Sequence, residues 1–207
     1  MRFVGIDPGA SAINCVVLDA SRRVIDGRVL PADASRDLKD LAAGATAIAV
    51  DAPAALSTAP HADDPSLSPK FRPARCCEIA LGRQHHLWVP WVTPAAGGAV
   101  PGWMQVGFQL YAELAANGHA PIEVFPHAGF RLLAGRVLPK KSTVAGIRNR
   151  VAMLEAEEVV APWMQLWSHD ALDATLAALL ALRAGDGTAI PVGCGHDGSA
   201  IWIPRVS

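Results

Sequence analysis

Five acids stand where the sequence expects strands to end or a helix to begin. Asp7 closes the run "FVGID", Asp51 closes "IAVD" and Glu123 lies within "PIEVF". Asp170 and Asp173 open the stretch "SHDALDATLAALLALRAG", residues 168–185. Open α/β sheets hold ligands at the carboxyl ends of their parallel strands, so acids at two equivalent strand ends read as parts of one site. A lone strand-end Asp often only starts a turn. In the late helix, Asp170 falls in the first turn if Ser168 caps it, a position that favours a carboxylate by about 0.3–1 kcal/mol. Asp173 follows one turn later on the same face, where it should repel Asp170.

That face continues through Ala174, Ala177, Ala181 and Ala184, with Leu172, Leu176 and Leu179 opposite. A stripe of alanines lets a helix lie close against a sheet, which would carry both aspartates towards the strand ends. Buried carboxylates that stay ionised need a counter-charge. Mg²⁺ or Mn²⁺ provides one through carboxylate oxygen. Two such ions, roughly 3.5–4 Å apart, suit hydrolysis of a phosphodiester. Asp7, Asp51, Asp170 and Asp173 are the expected ligands; the competing reading is a set of unrelated surface acids.

The elements that must position these groups follow from periodicity. "RFVGID", "INCVVLD" and "RVIDGRVL" read as strands, "DASRDLKDLAAG" as a helix capped by its Asp or Ser, and "TAIAVDAP" as a strand buried on both faces. From residue 52 the chain turns rich in Pro, Ser and Ala, and an irregular insertion with one short helix near Glu78–Gly82 is expected. Trp103, Val106, Leu110 and Leu114 mark a helix ending at Asn117-Gly118, its aromatics read as core rather than as a base-stacking platform. "PIEVFPH" reads as a strand, followed by a short helix to Gly135, a helix starting at Ser142 or Thr143, and a terminal strand "GSAIWIP". The expectation is one domain over residues 1–207 with an insertion at about 52–120.

Composition limits the class. Hydrophobic residues make up 51% and charged residues 18% of 207, which argues for a globular chain with a sizeable core. The start reaches Asp7 too soon for a signal peptide, and no apolar run is long enough to cross a bilayer, so a cytoplasmic protein with no membrane partner is expected. Net charge is −1, yet Arg131, Arg136, Lys140, Lys141, Arg148 and Arg150 cluster without an acid, and Lys70, Arg72, Arg75 and Arg83 surround only Glu78. Such segments suit a phosphate-bearing ligand or, equally, a solvated surface. Cys15, Cys76, Cys77 and Cys194 lack metal-ligand spacing. Buried free thiols are therefore preferred over zinc held with His85 and His86. Oligomeric state is left open.

The order of an acid-ended first strand, hairpin, helix, acid-ended fourth strand and late "DALDA" helix resembles the RNase H-like superfamily, the last helix being similar to that of Holliday-junction resolvases. Across nearly its whole length the chain resembles a family described as predicted RNase H-like nucleases (domain of unknown function 429), through "GIDPG", "AVDAP", "RCCEIALG", "IEVFPHAGF", "LPKKS", "HDALDA" and "DGSAIWIP". The resemblance implies an α/β fold with a mixed five-stranded sheet, flanking helices and an irregular insertion. It also implies a metal-dependent nuclease acting on DNA or RNA through Asp7, Asp51, Asp170 and Asp173. Glu123, Arg75, Glu78 and Lys141 match the narrower family. Arg75 and Lys141, with the adjacent Lys140, would meet phosphate; Glu123 and Glu78 would be outer ligands or proton carriers. The rivals are a nucleotide-binding phosphotransferase of the same fold and a non-catalytic binding protein.

Overall fold

The computed structural model describes residues 1–33, 35–162 and 168–206. Three strands open it as an antiparallel meander: β1 (Arg2–Pro8), β2 (Ala12–Asp19) and β3 (Val24–Pro31). Helix α1 (Ser35–Ala42) leads to β4 (Ala47–Val50), and β5 (Ile122–Glu123) follows much later. β4 and β5 run parallel to β1, giving a five-stranded mixed sheet in the order β3-β2-β1-β4-β5. The side chain of Ser35, one of the two caps expected for α1, lies outside the described residues.

Between β4 and β5 lie α2 (Cys76–His85) and α3 (Gly102–Ala116). After β5 come α4 (Pro126–Ala134), α5 (Val144–Ala156), α6 (His169–Asp186) and a separate antiparallel pair, β6 (Ala189–Val192) with β7 (Ile201–Pro204). The alternation of side chains along the strands divides the core in two. Val4, Ile6, Ile48 and Val50 face α1 and α3, where Val106, Leu110 and Leu114 cover them. Phe3, Val16, Leu18 and Ala49 face α6, with α4 and α5 outside it.

Several expectations need correction. α2 spans Cys76–His85 rather than Glu78–Gly82, because Glu78 closes a capping box with Arg75 at its start. α3, the helix expected from Trp103 to Leu114, packs into the main core. "PIEVFPH" yields two strand residues, since Pro121 and Pro126 flank a short edge. The terminal strand forms as expected and pairs with β6, with a single parallel bridge from Trp202 to Val124 just after β5. β6 itself was not expected: "AIPV" is short and contains a proline.

α6 explains its own composition. Every residue from Ala171 to Leu182 is buried, with leucines towards α4 and α5 and alanines towards the sheet. The contact is close enough to require Gly5 on β1: a Cβ there would lie 2.0 Å from the Ala174 carbonyl oxygen and 2.2 Å from the Ala178 nitrogen. Gly5 and the alanine stripe together bring the start of α6 down onto the strand ends.

Candidate metal centre and its cavity

Register brings the first two acids together. β1 and β4 pair from Phe3↔Ala47 to Ile6↔Val50, and the Asp51 N–H donates to the Ile6 carbonyl at 2.8 Å. Asp7 and Asp51 are therefore the next residues on adjacent parallel strands, on the face covered by α6. Ser168 caps that helix, its hydroxyl accepting from the Ala171 N–H at 3.1 Å. Asp170 lies in the first turn and Asp173 one turn further in.

Single ligand atoms of Asp7, Asp51 and Asp173 all lie within 4.8 Å of one another, and the same holds for His169, Asp170 and Asp173. The two groups share Asp173. Asp173 is 2% exposed, whereas the Asp170 side chain keeps 45% of its surface. His169 was not singled out in the sequence, although it directly precedes Asp170; its Nδ1 lies 2.5 Å from Asp170 Oδ1.

The electrostatics are those of a site short of positive charge. Burial, then the nearby Asp173 and Asp170 carboxylates, push Asp7 up to about 8. Asp51 is raised well above the usual carboxylate range by burial and by Asp7. Burial also raises Asp173, although Lys141 works against it. Lys141 Nζ donates to Asp173 Oδ2 at 2.7 Å and lies 3.9 Å from Asp170 Oδ1. Burial alone would lower the Lys141 ammonium, but Asp173, Asp7 and Asp51 act together against it and the net shift is upward.

One buried oxygen on Asp7, Oδ2, and one on Asp173, Oδ1, have no hydrogen-bond partner. Buried unpaired carboxylate oxygens are costly. Hard oxygen donors converging with open valences are what Mg²⁺ or Mn²⁺ requires, so these residues fit such ions.

Glu123, Arg75 and Glu78 form a second, separate group. Glu123 is in register with Val50, not Asp51, so strand alternation turns it away from the α6 face. Arg75 grips it through two bonds, Nη1 to Oε2 at 2.7 Å and Nη2 to Oε1 at 2.5 Å. The Ala54 N–H adds 2.9 Å to Oε2. Glu78 accepts from the Arg75 backbone N–H at 3.0 Å and from the Thr93 hydroxyl at 2.5 Å. Burial raises Glu123, with Arg75 opposing. Lys140 is exposed and outside the cavity lining, and Arg150 is a core residue, 1% exposed with its guanidinium over Phe130.

The cysteines depart from the expectation in part. Cys15 and Cys77 are buried free thiols, but Cys76 and Cys194 form a disulfide. His61, not His85 or His86, approaches Cys76, with Nε2 at 3.6 Å from Sγ. Trp103 and Tyr111 of α3 pack against the core, as expected of that helix. Trp88 and Trp91, which precede it, are exposed to 41% and 66% and, with Trp103, line a cavity of about 600 Å³ that includes both polar groups.

A mixed five-stranded sheet in this order, with acids at the ends of β1 and β4 and on a helix laid across them, defines an α/β protein with an acidic cluster at its strand ends. More narrowly, residues 5–194 match the family described as "Protein of unknown function (DUF429)", and the chain belongs to that family. No curated protein matches the sequence. Among solved structures, RuvC of Thermus thermophilus is similar at 17% identity and a TM-score of 0.47, over 91% of this chain and 98% of that one. T. thermophilus RuvC in complex with a Holliday junction substrate is similar at 15% identity and a TM-score of 0.44, over 98% and 99%. Identities this low do not carry an activity across. Among the described residues no helix is long and apolar enough to cross a membrane.

Proposed function

We propose that the protein hydrolyses phosphodiester bonds of DNA or RNA with two divalent cations, Mg²⁺ or Mn²⁺, held by Asp7, Asp51, Asp170 and Asp173. One observation carries this reading. Asp173 is buried with an unpaired oxygen, and it belongs at once to the group with Asp7 and Asp51 and to the group with His169 and Asp170. Cations bound there would neutralise the cluster and stabilise charge developing on a phosphate.

The chain's own residues do the remaining work. Asp7 and Asp51 stand on rigid paired strands, which fixes the spacing of their oxygens. Lys141 carries three N–H donors and gives one to Asp173, so it would also hold a phosphate oxygen at the edge of the cluster. Lys140, exposed beside it, would meet the backbone further out. Arg75 is neutralised by Glu123, so we assign Arg75, Glu78 and Glu123 a positioning role: they lock the segment after β4 and the start of α2 against β5.

Incubating a panel of DNA and RNA substrates with Mn²⁺ or Mg²⁺ tests the reading. Cleavage should require the metal and fall at least about 100-fold in Asp173→Asn and Asp7→Ala, as expected when a group needed for transition-state charge is removed. Metal binding should weaken in the same variants. Tight ATP binding without any metal-dependent cleavage would instead support the phosphotransferase reading and end this one.

A further inference from the structure

The cavity does not stop at the carboxylates. From Asp7 and Asp173 it runs on to a wall built from Trp88, Trp91, Trp103 and Phe125. Two of these indoles are unusually exposed for their size, and their support is specific. The Trp88 ring packs beside Phe71, centroids 4.6 Å apart. It also lies so close to Gly82 of α2 that a Cβ there would come within 2.4 Å of it. One side of the indole is thereby committed to α2 and Phe71, while the residue as a whole stays 41% exposed and is among those that line the cavity.

The chain on either side of Trp91 is held in place. Lys70 Nζ donates to the Pro90 carbonyl at 3.0 Å, and the Thr93 hydroxyl donates to Glu78. Trp91, 66% exposed, projects from this anchored stretch. Such a wall costs hydrophobic free energy unless something covers it. The charged groups along the cavity are already paired or belong to the carboxylate cluster, Arg75 with Glu123 and Lys141 with Asp173. What the wall offers a ligand is therefore aromatic surface.

We infer that this wall stacks on an unpaired base next to the phosphate being cut, so that the substrate is single-stranded nucleic acid or a strand end, not an intact duplex. The inference rests on the phosphodiesterase reading above and narrows it. Inside a duplex both faces of a base are covered by its neighbours. Only an unstacked base presents a face to an indole. The cavity's volume has room for a ligand of about one nucleotide, within the roughly 300–1,000 Å³ usual for small-molecule sites. Continuity with the carboxylates places the stacked base and the scissile phosphate in one enclosure.

Labelled single-stranded dodecamers of DNA and RNA, and the blunt duplex of the same sequence, test this by fluorescence anisotropy. Ca²⁺ replaces Mn²⁺ to hold back cleavage, and each titration is repeated without metal. The single strand should bind at least about 10-fold more tightly than the duplex, a preference that Trp91→Ala removes and Trp91→Phe largely keeps. Mn²⁺ affinity, read by calorimetry, should be unchanged in Trp91→Ala, separating the wall from the metal centre. Equal binding of duplex and single strand would overturn the inference, as would a Trp91→Ala protein that binds the single strand normally. If Mn²⁺ neither binds nor supports cleavage, the phosphodiesterase reading fails. The metal-free titrations then still decide whether the wall binds an unpaired base.

Discussion

Lys141 Nζ sits 2.7 Å from Asp173 Oδ2, an ammonium with 42% of its side chain exposed resting on a carboxylate that is 3% exposed. The segment before α5 thus supplies a positive charge to the deepest acid of α6. It occupies one oxygen of Asp173 and leaves the other unpaired. In the proposed reading that free oxygen is the one open to a divalent cation, beside the counter-charge Lys141 already provides.

Lys141→Met separates those roles. Without the ammonium, Asp173 loses its ion-pair partner, and the metal-free protein should be destabilised modestly, by about 1 kcal/mol, because half of the pair faces water. Mn²⁺ should bind at least as tightly, since a positive charge beside the carboxylates is gone. Cleavage should nevertheless slow if Lys141 holds phosphate. Calorimetric titration beside a cleavage assay reads both; weaker Mn²⁺ binding would show that Lys141 supports the metal centre instead of repelling its cation.

The raised acids set a pH dependence with a definite sign. Asp7, at about 8, holds its proton in the folded metal-free protein and loses it on unfolding between its ordinary 3.8 and 8. Over that window the folded state binds more protons, so stability falls as pH rises. Asp51 and Asp173 are shifted the same way. The melting temperature of chelator-treated protein should drop from pH 5 to pH 8, while Mn²⁺ affinity rises and each binding event releases protons. A melting temperature that climbs across this range would contradict the assigned burial of the cluster.

Gly5→Ala should cost about 2–3 kcal/mol, because its Cβ meets backbone of α6 that cannot move without lifting the helix. The same change at Gly185, late in α6 with open space around it, should stabilise by about 0.5–1 kcal/mol through helix propensity. Urea titrations compare the two. Since α6 carries Asp170 and Asp173, metal affinity should fall in Gly5→Ala and stay unchanged in Gly185→Ala.

Arg75→Met leaves Glu123 and Glu78 buried without their cation, a loss of about 3–5 kcal/mol. Protonating the stranded carboxylates relieves it, so the defect should be smaller at pH 5 than at pH 8. A defect independent of pH would mean that lost packing, not stranded charge, is responsible.

Much of the site was legible because it depends on local pattern and strand register. Asp7 and Asp51 end consecutive parallel strands, and a helix of alanines with two early acids has few places to lie. Glu123 was not separable from them in the sequence. Which face it takes depends on pairing with Val50 and not Asp51, a one-residue difference in a two-residue strand. Arg75 looked like a phosphate ligand because nothing local shows that a carboxylate 48 residues on engages it. The exposure of Trp88 and Trp91 was equally hidden, since it comes from an anchored loop without periodicity. Partners distant in the chain decided each of these.

The link between Cys76 and Cys194 joins residues 118 positions apart. A protease that nicks the chain once anywhere between them therefore yields no free fragment: both halves stay on one covalent molecule and migrate together until a thiol is added. The start of α2, with Arg75 beside it, would remain tethered to the turn between β6 and β7 even after such a cut. Paired reducing and non-reducing gels after limited proteolysis should differ in this way, with one band separating into two.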